Sequence, residues 1–195
     1  MPIISANHDP FFKEVNNPWN TGWEEEIQRI HQLLWKWKIF DLGFWVGRHI
    51  KQLLDLEYDL SWIDLSKIWY LRLQNDIKQK NQFASLYHWD MFDFSFEETY
   101  DCIFSNMSLQ YADSKEQFND MILKIKKHTN IWGINYIKLP AQGMSLWFPY
   151  KILDLETLKS YYSDWEIIFD SFETHQKKDG KKGVYVTIIA KNKKS

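Results

Sequence analysis

Two acids and two glycines carry the clearest chemical signal in this chain. Asp41-Leu-Gly43 closes a short apolar run, and Gly47 follows after three residues. Glycines at the end of a strand let the backbone turn tightly and let a ligand come close to it. About twenty residues on, a second apolar run ends in Asp64, at the start of Asp64-Leu-Ser66. An acid at the tip of the neighbouring strand is placed to accept hydrogen bonds from ribose hydroxyls. Together these residues outline a nucleoside site. Each acid also has a plainer use: Asp41 can cap the helix after its turn, and Asp64 can begin the next helix. Trp45 stands in the middle of the turn, where a small residue is usual.

The elements that must position these residues follow from patterning. Thr21 with Glu24 opens a capped helix carrying Ile27, Ile30, Leu33 and Leu34 at helical spacing. Residues 38–42 read as a first strand, 47–56 as a helix with Ile50, Leu53 and Leu54 inward, and 58–63 as a second strand. Ser66 caps a helix over 67–80. Strands are expected at 83–89, 100–105 and 131–139, with a helix capped by Ser114 and Gln117 before the last of these and another at 154–162. Strands at 165–174 and 184–190, joined through Asp179-Gly180, make a closing hairpin. The alternation predicts an α/β fold, a seven-stranded mostly parallel sheet with one antiparallel strand and helices on both faces. Residues 1–34 read as an N-terminal arm and helix covering the site, and 35–195 as a single domain.

Bulk properties narrow the function. A net charge of -2 gives no electrostatic reason to expect nucleic acid or an anionic membrane, and no apolar run reaches the length of a span. Cys102 is the only cysteine, which suits a reducing, cytoplasmic setting and a small core residue. His8, His31, His88, His128 and His175 lack metal-ligand spacing, so no metal is expected.

Four motifs in order, Asp41-Leu-Gly-x-x-x-Gly-Arg-His49, Ile63-Asp-Leu-Ser66, Asp90-Met-Phe-Asp93 and Tyr100-Asp-Cys-Ile-Phe-Ser-Asn106, resemble a known family. The chain is similar to class I S-adenosylmethionine-dependent methyltransferases, most of all the small tellurite-resistance group, and the closing hairpin suits that fold. The resemblance implies a Rossmann-like sheet that binds S-adenosylmethionine and releases S-adenosylhomocysteine. It implies that Asp41, Gly43, Trp45 and Gly47 line the methionine part, Asp64 the ribose, Leu65, Asp90 and Met91 the adenine, and that Asn106 faces the reacting methyl. Aromatic loops place Trp19, Trp23, Trp147 and Phe148 at a small-molecule acceptor. His49 and Tyr111 are the candidate bases, and a monomer or homodimer is expected.

Trp37, Trp45, Trp62, Trp89 and Trp132 stand where such relatives most often have glycine. A tryptophan carries about 200 Å² of surface. A second reading follows: a catalytically inactive binding or scaffold domain with its cofactor pocket filled by Trp45, Trp62 and Trp89. A nicotinamide oxidoreductase is a third, opposed by the missing three-glycine fingerprint.

Overall fold

A computed structural model describes residues 24–33, 38–44, 49, 53–54, 56, 58–79, 84–141, 154–176 and 182–193. Thr21 and the Asp179-Gly180 turn lie outside them. The chain divides into two compact units, Met1–Ser95 and Phe96–Ser195.

In the first unit, β1 (Lys38–Leu42), β2 (Asp59–Asp64) and β3 (Ser85–His88) run parallel, with Asp41 opposite Trp62 and Trp62 opposite Leu86. Four of the five β1 residues are buried, as in a parallel strand covered on both faces. β2 ends one residue later than expected, on Asp64 itself. β3 is shorter than expected, and Trp89 follows it with an amide that donates to the Asp64 carbonyl at 3.2 Å. Helix α1 (Glu24–Leu33) buries Ile27 and Ile30, but Leu33, expected on the same face, is exposed. Helix α2 (Lys67–Gln79) buries Trp69, Leu73 and Ile77, four residues apart along one face. Leu53 and Leu54 are buried as expected, whereas Ile50 lies outside the described residues.

In the second unit, β4 (Tyr100–Asn106) pairs parallel with β5 (Thr129–Pro140), and β7 (Lys182–Lys191) runs antiparallel to both β5 and β6 (Glu166–Gln176). Helix α3 (Lys115–Lys127) begins at Ser114, whose hydroxyl accepts from the Gln117 amide, and α4 (Leu155–Ser160) begins at Asp154, which accepts from the Thr157 amide. Phe104 and Tyr136 stack at 4.7 Å between ring centroids on facing positions of β4 and β5. The seven strands form one sheet in the order β3-β2-β1-β4-β5-β7-β6. That order, with β7 antiparallel to its neighbours, is the expected mixed sheet.

β5 starts two residues earlier than expected and carries an irregularity near its start. Trp132 has φ 69°, the left-handed region that favours glycine. Its amide donates to the Asn192 carbonyl, the Asn192 amide donates to the Gly133 carbonyl, and Lys191 lies 5.6 Å above the indole. Gly133 beside it is crowded: a Cβ there would come within 2.9 Å of the Asn130 and Asp101 carbonyl oxygens.

Candidate functional site

The strand ends of the first unit gather Asp41, Gly43 and Asp64. Gly43 has φ 73°, so a side chain there would be strained, and its amide donates to the Ile63 carbonyl at 2.9 Å. Asp41 is only 2 % exposed, and its carboxyl pKa is raised well above the usual range by burial first and by the Asp64 charge second. Asp64 is partly buried, and its Oδ1 accepts from the Ser66 amide at 2.8 Å, while Ser66 Oγ accepts from the Trp69 amide. Asp64 therefore shapes the start of α2, the plainer use read from its sequence. Leu65 is exposed beside it.

After β3, Asp90 is partly buried and its Oδ1 accepts from the Phe92 amide at 3.0 Å; Met91 between them is also partly buried. From its sequence His88 shows only a lack of metal-ligand spacing. Its Nε2 donates to the Leu65 carbonyl at 3.0 Å and its ring lies 5.5 Å from that of Tyr70. It ties the end of β3 to the turn that carries Asp64. His49 is buried and its carbonyl accepts from the Leu53 amide, as in a first helical turn.

Of the three tryptophans expected to fill a pocket, Trp62 is a fully buried strand residue opposite Asp41, and Trp89 is 59 % exposed. Trp45 lies outside the described residues, as do Gly47, Trp19, Trp23, Trp147 and Phe148.

In the second unit the end of β4 is braced. Asn106 is its last residue, partly buried, opposite Lys138 of β5. Met107 follows with φ 59°, and its amide donates to the Lys138 carbonyl at 2.9 Å. The Ser105 and Ser108 hydroxyls hydrogen-bond at 2.7 Å in the interior. A 3-10 turn, Leu109–Tyr111, comes next, with Tyr111 partly buried. Lys138 itself is 3 % exposed; its ammonium meets Glu173 Oε2 at 3.4 Å and lies 5.8 Å over the Tyr185 ring. The register places Asn106, Lys138, Thr187 and Ser171 in one row across four strands, a polar row above the apolar one of Phe104, Tyr136, Ile189 and Phe169. Sequence reading missed Met107, Gln110 and Lys138. The available signal was a lone lysine in Tyr136-Ile-Lys-Leu-Pro140 and a glutamine in an apolar turn. Among the described residues no three His, Cys, Asp or Glu side chains group as metal ligands.

The family model described as tellurite resistance protein TehB matches residues 5–184. The chain belongs to the TehB family. A TehB relative from Haemophilus influenzae, named as a probable S-adenosyl-L-methionine-dependent methyltransferase, is 25% identical over 171 residues, covering 86% of this chain and 58% of the relative. The chain thus spans well under two thirds of that protein. The crystal structure of TehB from Haemophilus influenzae superimposes with a TM-score of 0.80 at 25% identity, covering 94% of this chain and 66% of that one. The N-methyltransferase NodS from Bradyrhizobium japonicum, solved in complex with S-adenosyl-L-homocysteine, superimposes with a TM-score of 0.70 at 17% identity, covering 97% and 95%; it shares the fold. Among the described residues of this TehB-family chain, no helix is long and apolar enough to cross a membrane.

Proposed function

We propose that this TehB-family chain is an S-adenosylmethionine-dependent methyltransferase acting on a small-molecule acceptor. One observation carries the reading: Gly43 in a left-handed turn and Asp64 at a strand tip stand at the ends of adjacent parallel strands, where open α/β sheets bind ligands. A glycine cradle and an acid for ribose hydroxyls fit a nucleoside. In this reading Asp64 accepts from the ribose, and Leu65, Asp90 and Met91 hold the adenine. Asp41, Gly43, Trp45 and Gly47 line the methionine part.

S-adenosylmethionine supplies a methyl group already activated as a sulfonium. The chain's work is then to align and exclude water, since transfer between held reactants gains mainly from proximity. Asn106 faces the reacting centre from the last position of β4, followed by a turn that the Met107 amide ties to the Lys138 carbonyl. His49 and Tyr111 are the side chains proposed to take a proton, and Trp19, Trp23, Trp147 and Phe148 the acceptor contacts. Residues 1–34 cover a domain formed by 35–195. A cytoplasmic setting suits the single buried cysteine, and the working species is a monomer or homodimer.

Calorimetric titration with S-adenosylmethionine and S-adenosylhomocysteine tests the reading directly. Saturable one-to-one binding is expected, and no heat from either ligand at millimolar concentration would sink it.

A further inference from the structure

In the proposed site, ribose meets Asp64 and adenine meets Leu65, Asp90 and Met91, which lie in two separate turns of the first unit. The end of β3 stitches those turns together. His88 stands opposite Asp64 in the parallel register, and the Trp89 amide donates to the Asp64 carbonyl at 3.2 Å. Beyond Asp64 the backbone leaves the sheet, and the Ser66 carbonyl accepts from the Tyr70 amide at 3.0 Å to start α2. The Leu65 carbonyl lies between strand and helix. The His88 imidazole takes it, with Nε2 at 3.0 Å. A carbonyl only accepts, so Nε2 carries the proton. The same ring lies 5.5 Å from that of Tyr70. Directly after Trp89 the chain turns again, with Asp90 Oδ1 on the Phe92 amide and the Asp90 carbonyl on the Asp93 amide at 3.2 Å. The two turns therefore share one backbone hydrogen bond and one that a side-chain substitution can remove.

We propose that His88 is a positioning residue for the nucleoside, holding the Leu65 carbonyl so that the Asp64 carboxylate stays aimed at the ribose hydroxyls, an inference that rests on the functional reading above. Hydrogen bonds weaken steeply as their angle departs from linear, so an acid serving two ribose hydroxyls tolerates little movement. The same bond fixes the spacing between the ribose acid and the adenine turn. His88 acts through the backbone of Leu65 and needs no ligand contact of its own. Its ring is exposed, so replacing it opens no cavity and leaves stability nearly unchanged.

The experiment is calorimetric binding of S-adenosylhomocysteine and its 2′,3′-dideoxy analogue to the full chain. Wild type should prefer S-adenosylhomocysteine by about tenfold or more. His88→Phe keeps a ring against Tyr70 but has no donor, and should cut that preference below about threefold. His88→Gln lacks the ring but carries an amide N–H as many bonds from the backbone as Nε2, and should keep the preference within about twofold of wild type. His88→Met, without donor or ring, should behave as His88→Phe does, and serves if that variant does not fold. Equal weakening toward both ligands means a structural role and overturns the proposal. A preference lost in His88→Gln as well overturns it too, because the donor is then not what matters. A wild type that binds neither ligand overturns the functional reading and this inference with it. A wild type that binds both alike removes the ribose role of Asp64, and this inference falls with that role. A wild type that prefers S-adenosylhomocysteine while His88→Phe and His88→Met keep the preference overturns this inference alone.

Discussion

Asp41, next to last in β1, and Asp64, the last residue of the parallel β2, are electrostatically linked: the charge of Asp64 makes the buried carboxyl of Asp41 harder to ionise. Asp41 is interior and shifted upward, whereas Asp64 is partly open and accepts from the Ser66 amide just before α2.

The Asp41 shift has a definite sign in stability. With its folded pKa above the unfolded one, the folded chain binds more protons between those two values, so stability falls as pH rises through that window. Asp41→Asn removes the titration. Thermal melts from pH 4 to 8 should show a flatter pH dependence for the variant, and a higher melting temperature than wild type at pH 8.

Asp64 separates a ligand role from a capping role. Asp64→Asn keeps an oxygen for the Ser66 amide and should change stability by less than about 0.5 kcal/mol. It removes the charge offered to ribose hydroxyls, and should weaken S-adenosylhomocysteine by about tenfold, roughly 1.4 kcal/mol. Asp64→Ala loses both and should cost a further ~1 kcal/mol of stability. If Asp64→Asn binds as wild type does, the acid serves only the helix.

The Lys138–Glu173 pair is lopsided: the lysine side chain is 4% exposed and the glutamate 36%. Removing the carboxylate takes an ion-pair partner from a buried cation, whereas removing the lysine leaves an acid that water can reach. Glu173→Gln should therefore destabilise the fold by about 2–3 kcal/mol and Lys138→Met by about 1 kcal/mol or less. Urea unfolding of the two variants measures the difference, and the reverse order would contradict the asymmetry.

The parallel strands were legible because each is an apolar run bounded by an acid or a turn. Their ends were less so. β5 gains Thr129 and Asn130 through a register irregularity opposite Tyr100 and Cys102, and through the hydrogen bonds of Asn192, 60 residues away in sequence or more. Asp41, Gly43 and Asp64 could be read because a left-handed turn selects glycine and a strand tip exposes its last acid. Trp132 also stood out as a tryptophan at a position where the family resemblance implies glycine, and its backbone is in the glycine region. Lys138 and Gln110 showed in the sequence only as polar residues in apolar surroundings, and Met107 not at all. Their meaning lies in cross-strand register, a positive φ and an unmade hydrogen bond, none of which leaves a pattern in residue order.

Cys102, fully buried in β4, is the only thiol in the chain. A bulky thiol reagent can reach it only when β4 opens to solvent. The native chain thus carries an intrinsic clock at one strand: the rate of alkylation reads how often the strand that ends in Asn106 comes loose. Any ligand that binds at that strand's tip would slow the clock without touching the sulfur.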